Sequence, residues 1–179
     1  MLPSLALVLG GAASGKSRWA EALIRSSGAQ RLYIATAEAY DDEMREKIAQ
    51  HKAARAEDGW TTIEAPLDVA AALARATPEQ AVLLDCATLW LSNHMLAERD
   101  LAEAEDRLIA ALAACAAPVV IVSNEVGLSV VPDNALARRF QRAQGDLNKR
   151  LAAEAGLVVQ MIAGIPLVVK GTLPKESGP

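Results

Sequence analysis

Gly10, Gly11, Gly15, Lys16 and Ser17 fall at the spacing Gly-x-x-x-x-Gly-Lys-Ser, fed by the apolar run Leu5-Ala-Leu-Val-Leu9 and followed by a helix-forming stretch. This spacing serves the holding of a polyphosphate. Several backbone N–H groups must converge on the anion, and the glycines permit the close approach and left-handed dihedrals that this requires. A helix beginning near Lys16 adds the positive end of its dipole. Lys16 is expected to reach the β- and γ-phosphates as a point charge, and the Ser17 hydroxyl to hold a magnesium ion shared with them.

Asp85 closes the apolar run 81–85. It is the natural partner of Ser17 for that magnesium, directly or through water; a helix-capping aspartate is the alternative. Glu125, in Ser123-Asn-Glu-Val-Gly127, stands just past another apolar run and is read either as an organiser of water or substrate or as part of a structural turn. Thr36 offers a hydroxyl to phosphate or ribose, against its reading as an ordinary loop threonine.

His51 calls for a different chemistry. Phosphoryl transfer draws its rate from positioning and charge neutralisation and needs no histidine. If the segment 41–55 is helical, Lys47, His51 and Arg55 lie on one face at successive turns. Neighbouring cations keep an imidazole neutral and nucleophilic while offsetting the charge on an attacked α-phosphate. The constellation suits covalent nucleotidyl transfer; a solvated helix face carrying a histidine is the plainer reading. His94 has no comparable neighbours and reads as structural or surface.

These residues need a scaffold, and the pattern supplies alternating elements. Helical stretches are expected at 16–26, 41–56, 68–76, 88–115 with a break near Arg99 and Asp100, and 134–155. Extended runs are expected at 5–9, 31–35, 60–63, 81–85, 118–123, 157–162 and 165–169, the last two joined through Ala163-Gly164 as a hairpin. Strands alternating with helices imply an α/β fold with a mainly parallel sheet covered on both faces and a C-terminal antiparallel strand. Ligands in such sheets bind beyond the carboxyl ends of the strands. Gly10, the 35–37 segment, Asp85 and the 123–125 segment are therefore expected on one rim.

The 179 residues and 52% hydrophobic content fit one catalytic domain over 1–170, with a loose tail at 171–179. A net charge of −4 and a pI near 5.3 argue against a general nucleic-acid binder or an acidic-membrane binder. Cys86 and Cys115 are too few for a disulfide framework and lack metal-ligand spacing, so both are read as buried thiols of a reducing, cytoplasmic protein. The N-terminal apolar stretch is too short to cross a bilayer and no basic segment precedes it.

Taken together, Gly10 to Ser17, Ile34-Ala-Thr36, Asp41-Asp-Glu-Met44, His51-Lys-x-x-Arg55, Trp60 with Glu64, Leu84-Asp85-Cys86, Ser123-Asn-Glu-Val-Gly127 and Val131-Pro-Asp-Asn134 with Ala137-Arg138 resemble, in order and over almost the whole chain, the bifunctional adenosylcobinamide kinase / adenosylcobinamide-phosphate guanylyltransferase family. The resemblance implies a three-layer RecA-like P-loop NTPase fold, a homotrimer, and a late step of cobalamin assembly. The family phosphorylates the aminopropanol hydroxyl of adenosylcobinamide with ATP or GTP, then couples the product to GMP from GTP, giving adenosylcobinamide-GDP. It implies His51 as the carrier of covalent GMP, Lys16 and Asp85 as kinase residues, and Mg2+ held by Ser17 and Asp85. Nucleotide contacts would come from Gly10, Gly11, Ala12, Ala13, Ser14, Gly15, Lys16, Ser17, Ala35, Thr36, Ala37, Lys52, Ala53, Ala54, Arg55, Glu64 and Asp85.

The chain departs from the family pattern in places. Asp85 stands where relatives can carry glutamate, Ser123 where threonine is frequent, and Ala56 where proline is expected. The residues by themselves leave two other readings: a monofunctional small-molecule kinase, and a nucleotide-sensing module that turns over no metabolite. No base-reading segment for guanine stands in the sequence, so guanine preference rests on the resemblance.

Overall fold

The computed structural model describes residues 1–39 and 42–174, and their side chains except those of Glu43, Met44, Lys47, Ile48 and His51. In chain order the elements are β1 (Leu5–Gly10), α1 (Lys16–Arg25), β2 (Gln30–Ala35), α2 (Asp42–Glu57), β3 (Trp60–Glu64), α3 (Val69–Leu73), β4 (Gln80–Asp85), α4 (Ala87–Leu96), α5 (Leu101–Ala114), β5 (Val119–Asn124), α6 (Ala135–Glu154), β6 (Leu157–Ile162) and β7 (Ile165–Lys170). The strands form one seven-stranded sheet in the order β3-β2-β4-β5-β1-β6-β7. All neighbours are parallel except β6 and β7, the expected terminal hairpin. Its turn residues Ala163 and Gly164 take φ of 51° and 82°, the left-handed pair that a two-residue hairpin loop requires.

The central strands are apolar on both faces because both are covered. Leu5, Leu7, Leu32, Ile34, Val82, Leu84, Val119 and Ile121 point to one side, where α3, α4, α5 and α6 lay down Val69, Leu73, Trp90, Leu91, Leu108, Leu112, Leu147 and Leu151. Their alternates Ala6, Val8, Tyr33, Ala35, Leu83, Val120 and Val122 point to the other side, against Ala20 and Ile24 of α1. The result is three layers. Polar side chains start the helices: Asp100 accepts from the Glu103 amide and Asn134 from the Ala137 amide.

Two expectations are corrected. The helix expected at 68–76 closes at Leu73, because the chain must turn into β4: the Thr77 amide donates to Gln80 Oε1 at 2.9 Å. Cys115 is half-buried rather than buried, while Cys86 is buried as expected. The tail expected at 171–179 falls mainly on residues 175–179, outside the described residues.

Candidate active site

β1 runs out at Gly10, and the chain loops back to start α1 at Lys16. Gly15 precedes the helix at φ 87°. A Cβ on Gly10 would collide with Ser14 Oγ and lie 3.0 Å from the Met161 carbonyl oxygen, so only glycine fits where the loop leaves the strand. Lys16 folds over this loop and donates to the Gly11 carbonyl at 3.0 Å. Two other segments fasten the loop: the Glu125 amide donates to the Gly10 carbonyl at 3.1 Å, and the Gly164 amide to the Ser14 carbonyl at 3.1 Å. The buried Ser14 Oγ has no partner among the described residues. Such an orphaned hydroxyl suits a loop built around an absent polar ligand. Ser17 lies in the first turn of α1, half-buried.

Asp85 ends β4 on the same rim, with β5 between it and β1. Its reading as a helix cap does not hold: the cap of α4 is Cys86, whose Sγ accepts from the Leu89 amide at 3.4 Å. Instead Asp85 Oδ2 accepts the Tyr33 hydroxyl at 2.9 Å. Arg55 of α2 lies over the Tyr33 ring, its guanidinium carbon 3.6 Å from the centroid. Burial, then the Asp85 charge, pushes the Tyr33 phenol far above its usual range, so it stays a donor. Burial likewise raises Glu21, with Arg25 and Arg55 pulling against it and Asp85 and Asp58 adding to the rise. Burial and Asp85 raise the Cys86 thiol, which keeps it protonated and unreactive.

The other candidates divide. In register across the sheet, Glu64, Ala35 and Asp85 lie side by side at the ends of β3, β2 and β4. Lys52 reaches from α2 to Glu64 at 2.7 Å. Ala53 and Ala54 are exposed on the same helix, and Ala37 is half-buried just past β2. Thr36 is fully buried, and its hydroxyl both donates to the Cys86 carbonyl at 2.8 Å and accepts from the Cys86 amide at 2.7 Å. That is the ordinary loop role. Glu125 Oε1 accepts from the Gly127 amide at 2.7 Å, the geometry of a structural turn. His94 packs against Trp90 at 4.5 Å between ring centroids, with Nε2 3.1 Å from the Leu67 carbonyl, on the opposite face of the sheet from α1. His51 belongs to α2 by its backbone, one turn before Arg55; its side chain lies outside the described set.

Several structural partners of the site carry no sequence signal. Tyr33 reads as a strand residue among others. Asn93 donates to the Thr36 carbonyl at 2.8 Å and to the Pro66 carbonyl at 3.0 Å, tying two rim loops together from α4. At the end of β5, Ser123 donates to Asn148 Oδ1 at 2.6 Å and accepts from Gln144 Nε2 at 2.9 Å, while Thr88 Oγ1 accepts from the Asn124 amide at 2.8 Å. Gln144 and Asn148, polar residues among the buried positions of α6, are the signal that could point to this network.

A parallel sheet with a glycine cradle between β1 and α1, a carboxylate ending β4 and an intervening β5 defines a P-loop nucleotide-binding protein of the RecA type. The crystal structure of the RadB recombinase matches this fold with a TM-score of 0.51 at 16% identity, covering 98% of this chain and 85% of that one. At that identity the likeness speaks to fold alone. Residues 6–169 match the family described as cobinamide kinase / cobinamide phosphate guanyltransferase, and the chain belongs to that family. It is 42% identical over 168 residues to the bifunctional adenosylcobalamin biosynthesis protein CobP of Pseudomonas aeruginosa, covering 92% of this chain and 96% of that protein. It is 43% identical over 183 residues to the CobU protein of the same description from Salmonella typhimurium, covering 92% and 98%.

Proposed function

We propose that this bifunctional cobinamide kinase and guanylyltransferase runs its two reactions on one rim, with His51 carrying the guanylyl group between them. In the first reaction the aminopropanol hydroxyl of adenosylcobinamide attacks the γ-phosphorus of a triphosphate cradled by residues 10–17, and nucleoside diphosphate leaves. Lys16 neutralises the developing charge. In the second, an imidazole nitrogen of His51 attacks the α-phosphorus of GTP, and the bond to the β-phosphate breaks to release pyrophosphate. A phosphate oxygen of adenosylcobinamide phosphate then displaces the imidazole, giving adenosylcobinamide-GDP.

The observation that carries this reading is the seating of α2: Lys52 bonded to Glu64 and Arg55 stacked on Tyr33 dock the histidine-bearing helix at the rim that also holds Asp85. The helix, the nucleotide or both must shift to bring the α-phosphate to the histidine.

What supports Mg2+ is the donor set. Among the described residues no cluster of three or more His, Cys, Asp or Glu side chains could hold a metal by itself. Ser17 and Asp85 offer two hard oxygens and leave the remaining positions to phosphate and water, the arrangement magnesium prefers. When bound, the ion would neutralise charge on the phosphates; the protein's part is to orient them.

We extend the proposal to a homotrimer. Ile165, Leu167 and Val169 are 68%, 55% and 63% exposed along the edge strand β7, an apolar surface that an assembly would cover. We place its work in the cytoplasm; no helix among the described residues is long and apolar enough to cross a membrane.

The test is incubation with α-labelled GTP followed by denaturation. An acid-labile, base-stable protein adduct that is absent from His51→Ala supports the intermediate; labelling that survives the substitution eliminates it.

A further inference from the structure

Of the described side chains of α2, Arg55 is the one that is not exposed. The other described side chains of the helix face solvent, and the described side-chain contacts that tie α2 to the body lie toward its C-terminal end. Those are Arg55 on the Tyr33 ring at 3.6 Å, Lys52 to Glu64 at 2.7 Å and, just past the helix, Asp58 to Arg25 at 2.5 Å. Tyr33 itself is fixed. It is 3% exposed, Trp60 packs edge-on against it with centroids 5.9 Å apart, and its hydroxyl is 2.9 Å from Asp85 Oδ2. The phenol proton is donated to Asp85, and the near-perpendicular packing against Trp60, 84° between the ring planes, holds the ring plane. The ring plane in turn sets which face meets the guanidinium, the arrangement a cation–π contact needs.

We propose that Tyr33 is a positioning residue for both half-reactions: its hydroxyl holds the Asp85 carboxylate toward the nucleotide's metal, and its ring is the seat on which Arg55 parks the helix bearing His51. The first half rests on the reading of Asp85 given above; the second rests on geometry alone. One buried side chain thus links the kinase carboxylate to the nucleotidyl-transfer helix, although it touches no reacting atom.

Two substitutions separate the roles. Tyr33→Phe keeps the seat and removes the hydroxyl; Tyr33→Leu removes both. The readouts are the Mg2+ concentration giving half-maximal kinase turnover, and hydrogen–deuterium exchange of the backbone amides of residues 52–57 in nucleotide-free protein. Tyr33→Phe raises the Mg2+ requirement about 5- to 10-fold, the scale of one charge-assisted bond, and leaves exchange within about twofold of the parent protein. Tyr33→Leu raises the Mg2+ requirement equally and speeds exchange at least about 5-fold. An unchanged Mg2+ requirement in Tyr33→Phe overturns the first role, and unchanged exchange in Tyr33→Leu overturns the second. Parallel changes of both readouts in Tyr33→Phe with a lowered Tm reduce the residue to plain packing. Asp85→Asn provides the control: if it keeps the full Mg2+ response, the assignment of Asp85 fails and the seat on Tyr33 still stands on the exchange data.

Discussion

The amide of Gly164 donates to the carbonyl of Ser14 at 3.1 Å, so the turn of the C-terminal hairpin is fastened to a phosphate-type loop made near the other end of the chain. Gly164 sits at φ 82°. A β-branched residue there costs about 1–2 kcal/mol of backbone strain and pushes the amide off its acceptor. Gly164→Val should therefore raise KM for the triphosphate several-fold in both reactions with a smaller change in kcat. Steady-state kinetics with each nucleotide check this, and an unchanged KM would show that the brace is idle.

Ser123 is the hub of a buried polar network, and no partner in it can turn to water. Ser123→Ala takes one bond each from the Gln144 amide nitrogen and Asn148 Oδ1, which still pair with each other at 3.0 Å, so the cost is about 0.5–1.5 kcal/mol. For a chain of this length that lowers Tm by roughly 2–4 °C per kcal/mol. Differential scanning calorimetry reads the shift; a Tm equal to that of the parent would mean that the network repacks freely.

Glu21 gives a pH dependence whose sign can be worked out. Burial lifts its folded-state pKa above the ordinary 4.5. Between those two values the folded protein binds more protons than the unfolded chain, so stability falls as pH rises through the window and the deficit persists above it. Glu21→Gln removes this penalty. The Tm of the variant relative to the parent should therefore climb from pH 4.5 toward neutrality; a fall would mean that Arg25 and Arg55 outweigh burial.

Lys52 and Glu64 form a pair whose side chains are 51% and 52% exposed. Such a pair contributes about 0–1 kcal/mol to folding. Lys52→Ala should leave Tm within about 2 °C of the parent while raising KM for GTP in guanylyl transfer. A large Tm loss with normal GTP kinetics would assign Lys52 to scaffolding.

Much of the scaffold was legible because its signals are local. The glycines at 10 and 15 with Lys16 and Ser17 specify a loop within eight residues, and Ala163-Gly164 specifies a turn within two. The break between α4 and α5 is written by Asp100, whose side chain caps the second helix. Helix α3 was overestimated because its alanines favour helix while the approach to β4 imposes a turn.

The amino-acid order by itself determined the alternation of strands and helices, the cradle, the acid at the end of β4 and the placement of a histidine among cations on α2. Only the tertiary structure decided that β5 separates β1 from β4, and that Ala35 lies level with both Glu64 and Asp85. That register gives Tyr33 its carboxylate, Arg55 its ring, and Thr36 an inward hydroxyl in place of an outward one. The physical reason is range. Backbone dihedrals and turn residues act over a few positions, whereas the order and register of parallel strands come from packing both faces of a sheet at once, which no short stretch of the chain contains.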